Sequence, residues 1–150
     1  MYKVKTPTNN YLKYYRIIRY FIKKKYNLSQ ADLEMLYFLH DEDYFSRDKF
    51  KEYNTVMTWD KNRFNRLVKE GWIDKFRNHN NTRKALYQLT YKGVNVVRSV
   101  YNKLEGQVMP TSEKGNPLFS GKLSTKDNAY KNMIIEMNAF IKQQQHPFLG

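Results

Sequence analysis

The chain has 150 residues, the length of one average domain. Its 41% hydrophobic and 16% aromatic content is too high for a disordered tail, and 27 Lys and Arg against 14 Asp and Glu leave a net charge of +13. The absence of cysteine excludes disulfide staples, thiol redox sensing and Cys-based zinc sites, and no apolar run is long enough to span a membrane.

Met1-Tyr2-Lys3-Val4-Lys5 is followed by no apolar stretch, so a cleaved leader is not expected. Tyr11 to Lys25 reads as a helix, with Tyr14, Ile17, Ile18, Phe21 and Ile22 on one face. Ser29 is the expected N-cap of a second helix, Gln30 to His40, with Leu33, Leu36, Tyr37 and His40 on one side. Asp41-Glu42-Asp43 ends it, and Ser46 opens a short third helix carrying Arg47, Phe50 and Tyr53. Thr58 is the expected N-cap of a fourth helix, Trp59 to Glu70, with Phe64, Leu67 and Val68 as its buried stripe and Gly71 as its stop. Two β-type runs follow, Trp72 to Arg77 and Lys84 to Leu89, around a polar turn at 78–83. Thr90 starts a fifth helix, Tyr91 to Leu104, with Val94, Val97, Tyr101 and Leu104 inward. Residues 106–121 hold two prolines and read as an irregular connection. Ser124 with Asp127 resembles a capping box for a last helix ending near Gln144. Its stripe of Tyr130, Met133, Ile134, Met137, Phe140 and Ile141 is a seam that needs another helix to cover it.

Charge is distributed unevenly along the chain. Residues 1–26 carry eight basic and no acidic residues, 27–56 three basic and seven acidic, 57–106 eleven basic and four acidic. Such polarity implies a binding face for a polyanion rather than a uniform basic coat. Three helices and a two-stranded hairpin, with a basic helix just before the hairpin, make a winged helix-turn-helix arrangement. Its reading helix fits a DNA major groove, and its hairpin reaches the adjacent backbone or minor groove. The side chains expected to face DNA are Thr58, Lys61, Asn62, Asn65, Arg66 and Lys69 on the helix, with Arg77, Arg83 and Lys84 on the hairpin. Arg pairs bidentately with guanine and Asn with adenine, whereas Lys61 and Lys69 suit phosphate.

The stretch Asn65-Arg66-Leu67-Val68-Lys69-Glu70-Gly71-Trp72-Ile73, then Arg83, then Leu89-Thr90-Tyr91-Lys92-Gly93 resembles the MarR family of dimeric winged-helix regulators. The family's Asp-x-Arg in the wing corresponds to Asn81-Thr82-Arg83, and an Arg frequent early in its recognition helix corresponds to Asn62. The resemblance covers about residues 10–106 in element order, with its specific motifs inside 58–93. It implies a homodimer in which the first and last helices of two subunits interlock, here through Ile18, Phe21, Ile22, Met133, Ile134, Met137, Phe140 and Ile141.

The expected architecture is therefore mainly α, within the α+β class: a winged helix-turn-helix flanked by N- and C-terminal dimerisation helices. The expected parts are a winged-helix domain with its N-terminal helix at 1–106, a linker at 107–123 and a C-terminal helix at 124–150. The expected function is sequence-specific transcription regulation on double-stranded DNA, in the cytoplasm, or in a host's cytoplasm if the chain is viral. The alternative is an architectural or assembly protein that binds DNA nonspecifically or docks another protein. The Lys, Asn and Tyr content suits an AT-rich genome, bacterial or phage. His40, His79 and His146 lie in different elements with no catalytic or metal-binding spacing, and no Gly-rich phosphate loop occurs. The chain is read as a non-enzyme needing no cofactor or metal, with no membrane partner; a small-molecule effector is left open.

Overall fold

The computed structural model describes residues 10–81 and 84–145 and divides the chain into two compact units. Residues 28–98 form one; residues 1–27 together with 99–150 form the other. This division differs from the expected 1–106, 107–123 and 124–150. The first helix folds with the C-terminal segment, and so does the stretch read as a linker.

In the 28–98 unit, Ser29 caps α1 (Gln30–His40) by accepting a hydrogen bond from the Asp32 amide at 3.1 Å. Leu33, Met35, Leu36 and Leu39 are buried, so Met35 and Leu39 take the inward places expected of Tyr37 and His40. Ser46 caps α2 (Arg47–Asn54) in the same way, through the Lys49 amide. A third helix, α3 (Arg63–Lys69), leads to an antiparallel hairpin of β1 (Ile73–Arg77) and β2 (Leu86–Leu89). Its register pairs Ile73 with Leu89 and Arg77 with Leu86, with an irregularity between Lys75 and Arg77. Phe45 adds an isolated bridge to Tyr87, exchanging backbone hydrogen bonds of 2.9 and 2.8 Å. Phe64 stands edge-on to both Phe50 and Tyr87, 5.0 Å from each ring, and so ties α3 to α2 and to the hairpin.

The corner after α3 explains the Leu89-Thr90-Tyr91-Lys92-Gly93 motif. Gly71 adopts φ +83°, a left-handed turn that places Trp72 in the core. The Thr90 hydroxyl donates to the Gly71 carbonyl at 2.6 Å and accepts from the Gly93 amide at 3.2 Å. A Cβ at Gly93 would sit 3.0 Å from the Trp72 carbonyl oxygen, a tight contact that a larger residue could make only if the Trp72 backbone gave way. The helix that follows, α4 (Tyr91–Leu104), buries Val96, Val97 and Val100. Its buried face is turned from the expected one, and Tyr101 is exposed.

In the other unit, α5 (Tyr11–Tyr26) is capped by Asn10 and ends at Asn27, φ 53°. It packs on α6 (Thr125–Gln145), which Ser124 caps. The rings of Tyr20 and Tyr130 stack 3.8 Å apart, the Tyr20 hydroxyl donates to Asp127 at 2.5 Å, and Arg16 donates to the Tyr130 hydroxyl. Burial and the hydrogen bond to Asp127 push the Tyr20 phenol up to about 12.

The α6 seam is largely covered by this chain's own residues. Ile18, Phe21, Ile22, Ile134, Met137 and Ile141, all expected at a subunit interface, are buried within the chain; Met133 and Phe140 stay 40% exposed. The cover comes from α5 and from the stretch read as irregular. There Asn116 orders a short turn by donating to the Pro110 carbonyl and accepting from the Leu118 amide, which buries Leu118. Asn138 of α6 accepts from the Met109 amide at 2.7 Å and donates to the Met109 carbonyl at 3.0 Å. Asn138→Ala leaves both buried backbone groups unpaired, at about 1–3 kcal/mol each. Urea unfolding should show a loss of roughly 2–6 kcal/mol for Asn138→Ala and within about 0.5 kcal/mol for the exposed Asn128→Ala on the same helix. Equal losses would contradict the role given to Asn138.

Candidate nucleic-acid interface

The candidate surface is built on α3, and its start is set by charge rather than by a hydroxyl cap. The Asp60 side chain accepts from the Asn62 amide at 2.9 Å, and the Thr58 carbonyl accepts from the Arg63 guanidinium at 2.8 Å. These bonds hold residues 58–62 as a turn, so α3 opens at Arg63 and not at Trp59. Thr58 is exposed and does not serve as the expected N-cap. The helix is seven residues long. Arg63 and Leu67 face inward, while Val68, expected in the stripe, is exposed.

Asp32, near the start of α1, is buried and receives both arginines of α3. Arg63 is 2% exposed. Its Nε donates to Asp32 Oδ1 at 2.8 Å, and its remaining nitrogens bond the Asn54 side chain and the Thr58 carbonyl. Arg66 donates to Asp32 through Nε at 3.2 Å and through a terminal nitrogen at 2.7 and 2.8 Å. Its other terminal nitrogen pairs with Asp60 at 2.7 Å. Two guanidiniums thus meet two carboxylates, and the charge is neutralised locally. The Asp32 bonds raise the Arg66 pKa further, while the Asn62 amide and Arg66 hold the Asp60 carboxyl below its usual range. Arg66, expected to reach into the groove, is instead held in place, although its side chain is one-third exposed.

Lys61, Asn62, Asn65 and Lys69 are exposed. Asn62, Asn65 and Lys69 lie at spacings of three and four, one stripe of the helix. Trp59 stands 75% exposed beside its start. The Arg47 guanidinium lies 4.6 Å from the centre of the Phe64 ring. Asn65 borders two hollows. One, of about 260 Å³, includes Phe50, Lys51 and Trp59; the other, of about 290 Å³, includes Val68, Lys75 and Tyr87. On the hairpin, Arg77 and Lys84 are exposed, as is Lys75, which the sequence reading did not single out. Arg83 lies outside the described residues.

Asp32, Arg63 and Arg47 were also missed by sequence reasoning. The signal was there for the first two: Asp32 shares a helix face with Leu36 and Leu39, and Arg63 shares one with Leu67. Opposite charges on two apolar stripes are best satisfied by each other.

The helix order, the crossing bridge at Phe45 and the hairpin define a winged helix-turn-helix. A family model described as DUF3860-like matches residues 52–99. No curated protein matches the sequence. Similar solved structures include a MarR mutant from E. coli complexed with operator DNA, at 18% identity over 83% of this chain and 84% of that one, TM-score 0.45. A MepR mutant from a multidrug resistant S. aureus clinical isolate is 14% identical over 82% and 84%, TM-score 0.48. A MarR-family transcriptional regulator from Silicibacter pomeroyi is 16% identical over 85% and 81%, TM-score 0.45. Among the described residues no helix is long and apolar enough to cross a membrane, and no cluster of acidic and histidine side chains could hold a metal ion.

Removing a partner from a buried ion pair costs about 3–5 kcal/mol, against 0–1 for a surface pair. Asp32→Ala removes the one carboxylate paired with the buried Arg63 and takes one of two from Arg66, so urea unfolding should show a loss of about 3 kcal/mol or more. Arg66→Ala, at the partly exposed side, should cost less. A loss below about 1 kcal/mol for Asp32→Ala would rank the cluster with ordinary surface pairs.

Proposed function

We propose that this chain binds double-stranded DNA as a sequence-selective transcription regulator, acting as a homodimer in the cytoplasm. The observation that carries the reading is the exposed stripe of Asn62, at the N-cap of α3, with Asn65 and Lys69 on the helix, beside the basic hairpin. A seven-residue helix is about 10 Å long and enters a major groove about 12 Å wide. Lys61 and Lys69 suit phosphates flanking the groove, and Lys75, Arg77 and Lys84 suit the adjacent backbone. Thr58, one turn from the stripe, suits a backbone contact at the helix entry. The proposed role involves no bond-making step, cofactor or metal.

The dimer would use the surface left uncovered on α6. Met133 and Phe140 border a hollow of about 220 Å³ with Lys13, Tyr14 and Glu136. A second copy's terminal helices would cover these apolar side chains.

The test is a titration of duplex DNA over a range of salt, with sedimentation of the free chain alongside. Each phosphate contact contributes about −0.9 to the slope of log K against log salt. The five basic contacts named for each of two subunits, roughly ten in all, give a slope near −9. A slope shallower than about −2 would show that the basic face serves another partner. Sedimentation should give twice the 18.2 kDa chain mass at micromolar concentration, and a monomer would overturn the dimer.

A further inference from the structure

We propose that the reading face is selective for adenine through Asn65, supported by Asn62, and that Arg66 is a positioning residue withheld from the bases. This rests on the DNA-binding reading above and names the sequence class it would select: half-sites whose major-groove edge is A·T.

Bidentate reading of guanine needs a free guanidinium, and bidentate reading of adenine needs a free amide. α3 carries two arginines. Arg63 is buried on Asp32, Asn54 and Thr58. Arg66 spends three hydrogen bonds on Asp32 and an ion pair on Asp60. Turning it toward a base would break its three hydrogen bonds to the buried Asp32 carboxylate and its pairing with Asp60, and would leave Asp32 with one cation instead of two. No arginine of this helix is therefore available to guanine.

The amides are placed differently. Asn65 is exposed and has no side-chain hydrogen bond to the described residues, and Asn62 makes no capping bond with its side chain. Both sit on the stripe that ends in Lys69. Exposed Val68 and Trp59 flank this stripe, and apolar surface of that kind suits the thymine methyl group. Amides in the middle, apolar contact beside them and lysines at the margins match A·T pairs framed by phosphates.

The experiment is selection by the full chain from a random-sequence duplex pool, repeated with Asn65→Ala, Asn65→Arg and Arg66→Lys. Titrations on the enriched duplex and on a G·C-substituted copy follow at one salt concentration. The expected result is enrichment of A·T at the contacted positions. Asn65→Ala should lower affinity for the enriched duplex roughly tenfold and leave the G·C copy nearly unchanged. Asn65→Arg should move the enriched base toward G·C, and Arg66→Lys should leave the enriched base as it is. Enrichment of a G·C pair that vanishes with Arg66→Lys but survives Asn65→Ala would overturn the proposal. Salt-dependent binding with no enriched sequence would overturn it while leaving DNA binding standing. No binding to any duplex would remove the DNA reading and this inference with it.

Discussion

One carboxylate organises the candidate interface. Asp32 is buried near the start of α1, and an isolated charge there would cost more than this fold could tolerate. Two guanidiniums from successive turns of α3 remove that cost. Arg63 approaches from the buried side and Arg66 from the solvent side. Their demand for Asp32 sets the distance and rotation of α3 on α1. It also draws Arg63 onto the Thr58 carbonyl, which shapes the turn at 58–62 and delays the start of the helix. The exposed stripe of Asn62, Asn65 and Lys69 is the face left over once the arginines have turned inward. A basic helix thus presents amides and lysines to solvent.

The other contacts of the 28–98 unit brace the same helix. Phe64 stands between Phe50 and Tyr87, and the Phe45–Tyr87 bridge holds the hairpin to the segment before α2. At the far end of α3, Gly71 turns the chain, Trp72 drops into the core and Thr90 gathers the Gly71 carbonyl and the Gly93 amide. Lys92 lies 4.0 Å over the Trp72 ring and donates to the Glu70 carbonyl, which places a cation at the helix C-terminus. The helix is fixed at its start by ion pairs and at its end by a glycine turn.

Elements specified by neighbouring residues were legible in the sequence. Ser29, Ser46 and Ser124 cap as read, because a hydroxyl acts on an amide three residues away. The motif at 89–93 identified the corner, since Thr90 and Gly93 act within one turn of each other and of Trp72. What failed was set by distant partners. Thr58 looks like a cap, yet the structure there answers to Asp32, 31 residues from Arg63. Arg66 looks free by helical geometry, and only its partners on α1 and in the 58–62 turn show otherwise. Residues 106–121 read as a connection because they lack periodicity. Single polar anchors, Asn116 and Asn138, nevertheless order the segment and cover the stripe that looked like an open seam. A hydrophobic pattern shows that a face must be buried, but not whose residues bury it.

On the duplex proposed as the chain's ligand, Arg66 is expected to stay with Asp32. The direct measurement is the nitrogen-15 spectrum of the arginine Nε–H groups, with Arg66 assigned through Arg66→Lys, for the free chain and for the chain saturated with its selected duplex. The account predicts that the Arg66 signal exchanges slowly with water in both states and shifts little on saturation. A large shift of that signal, together with faster exchange of Arg63 as Asp32 loses its second cation, would show Arg66 leaving Asp32 for DNA and would contradict it.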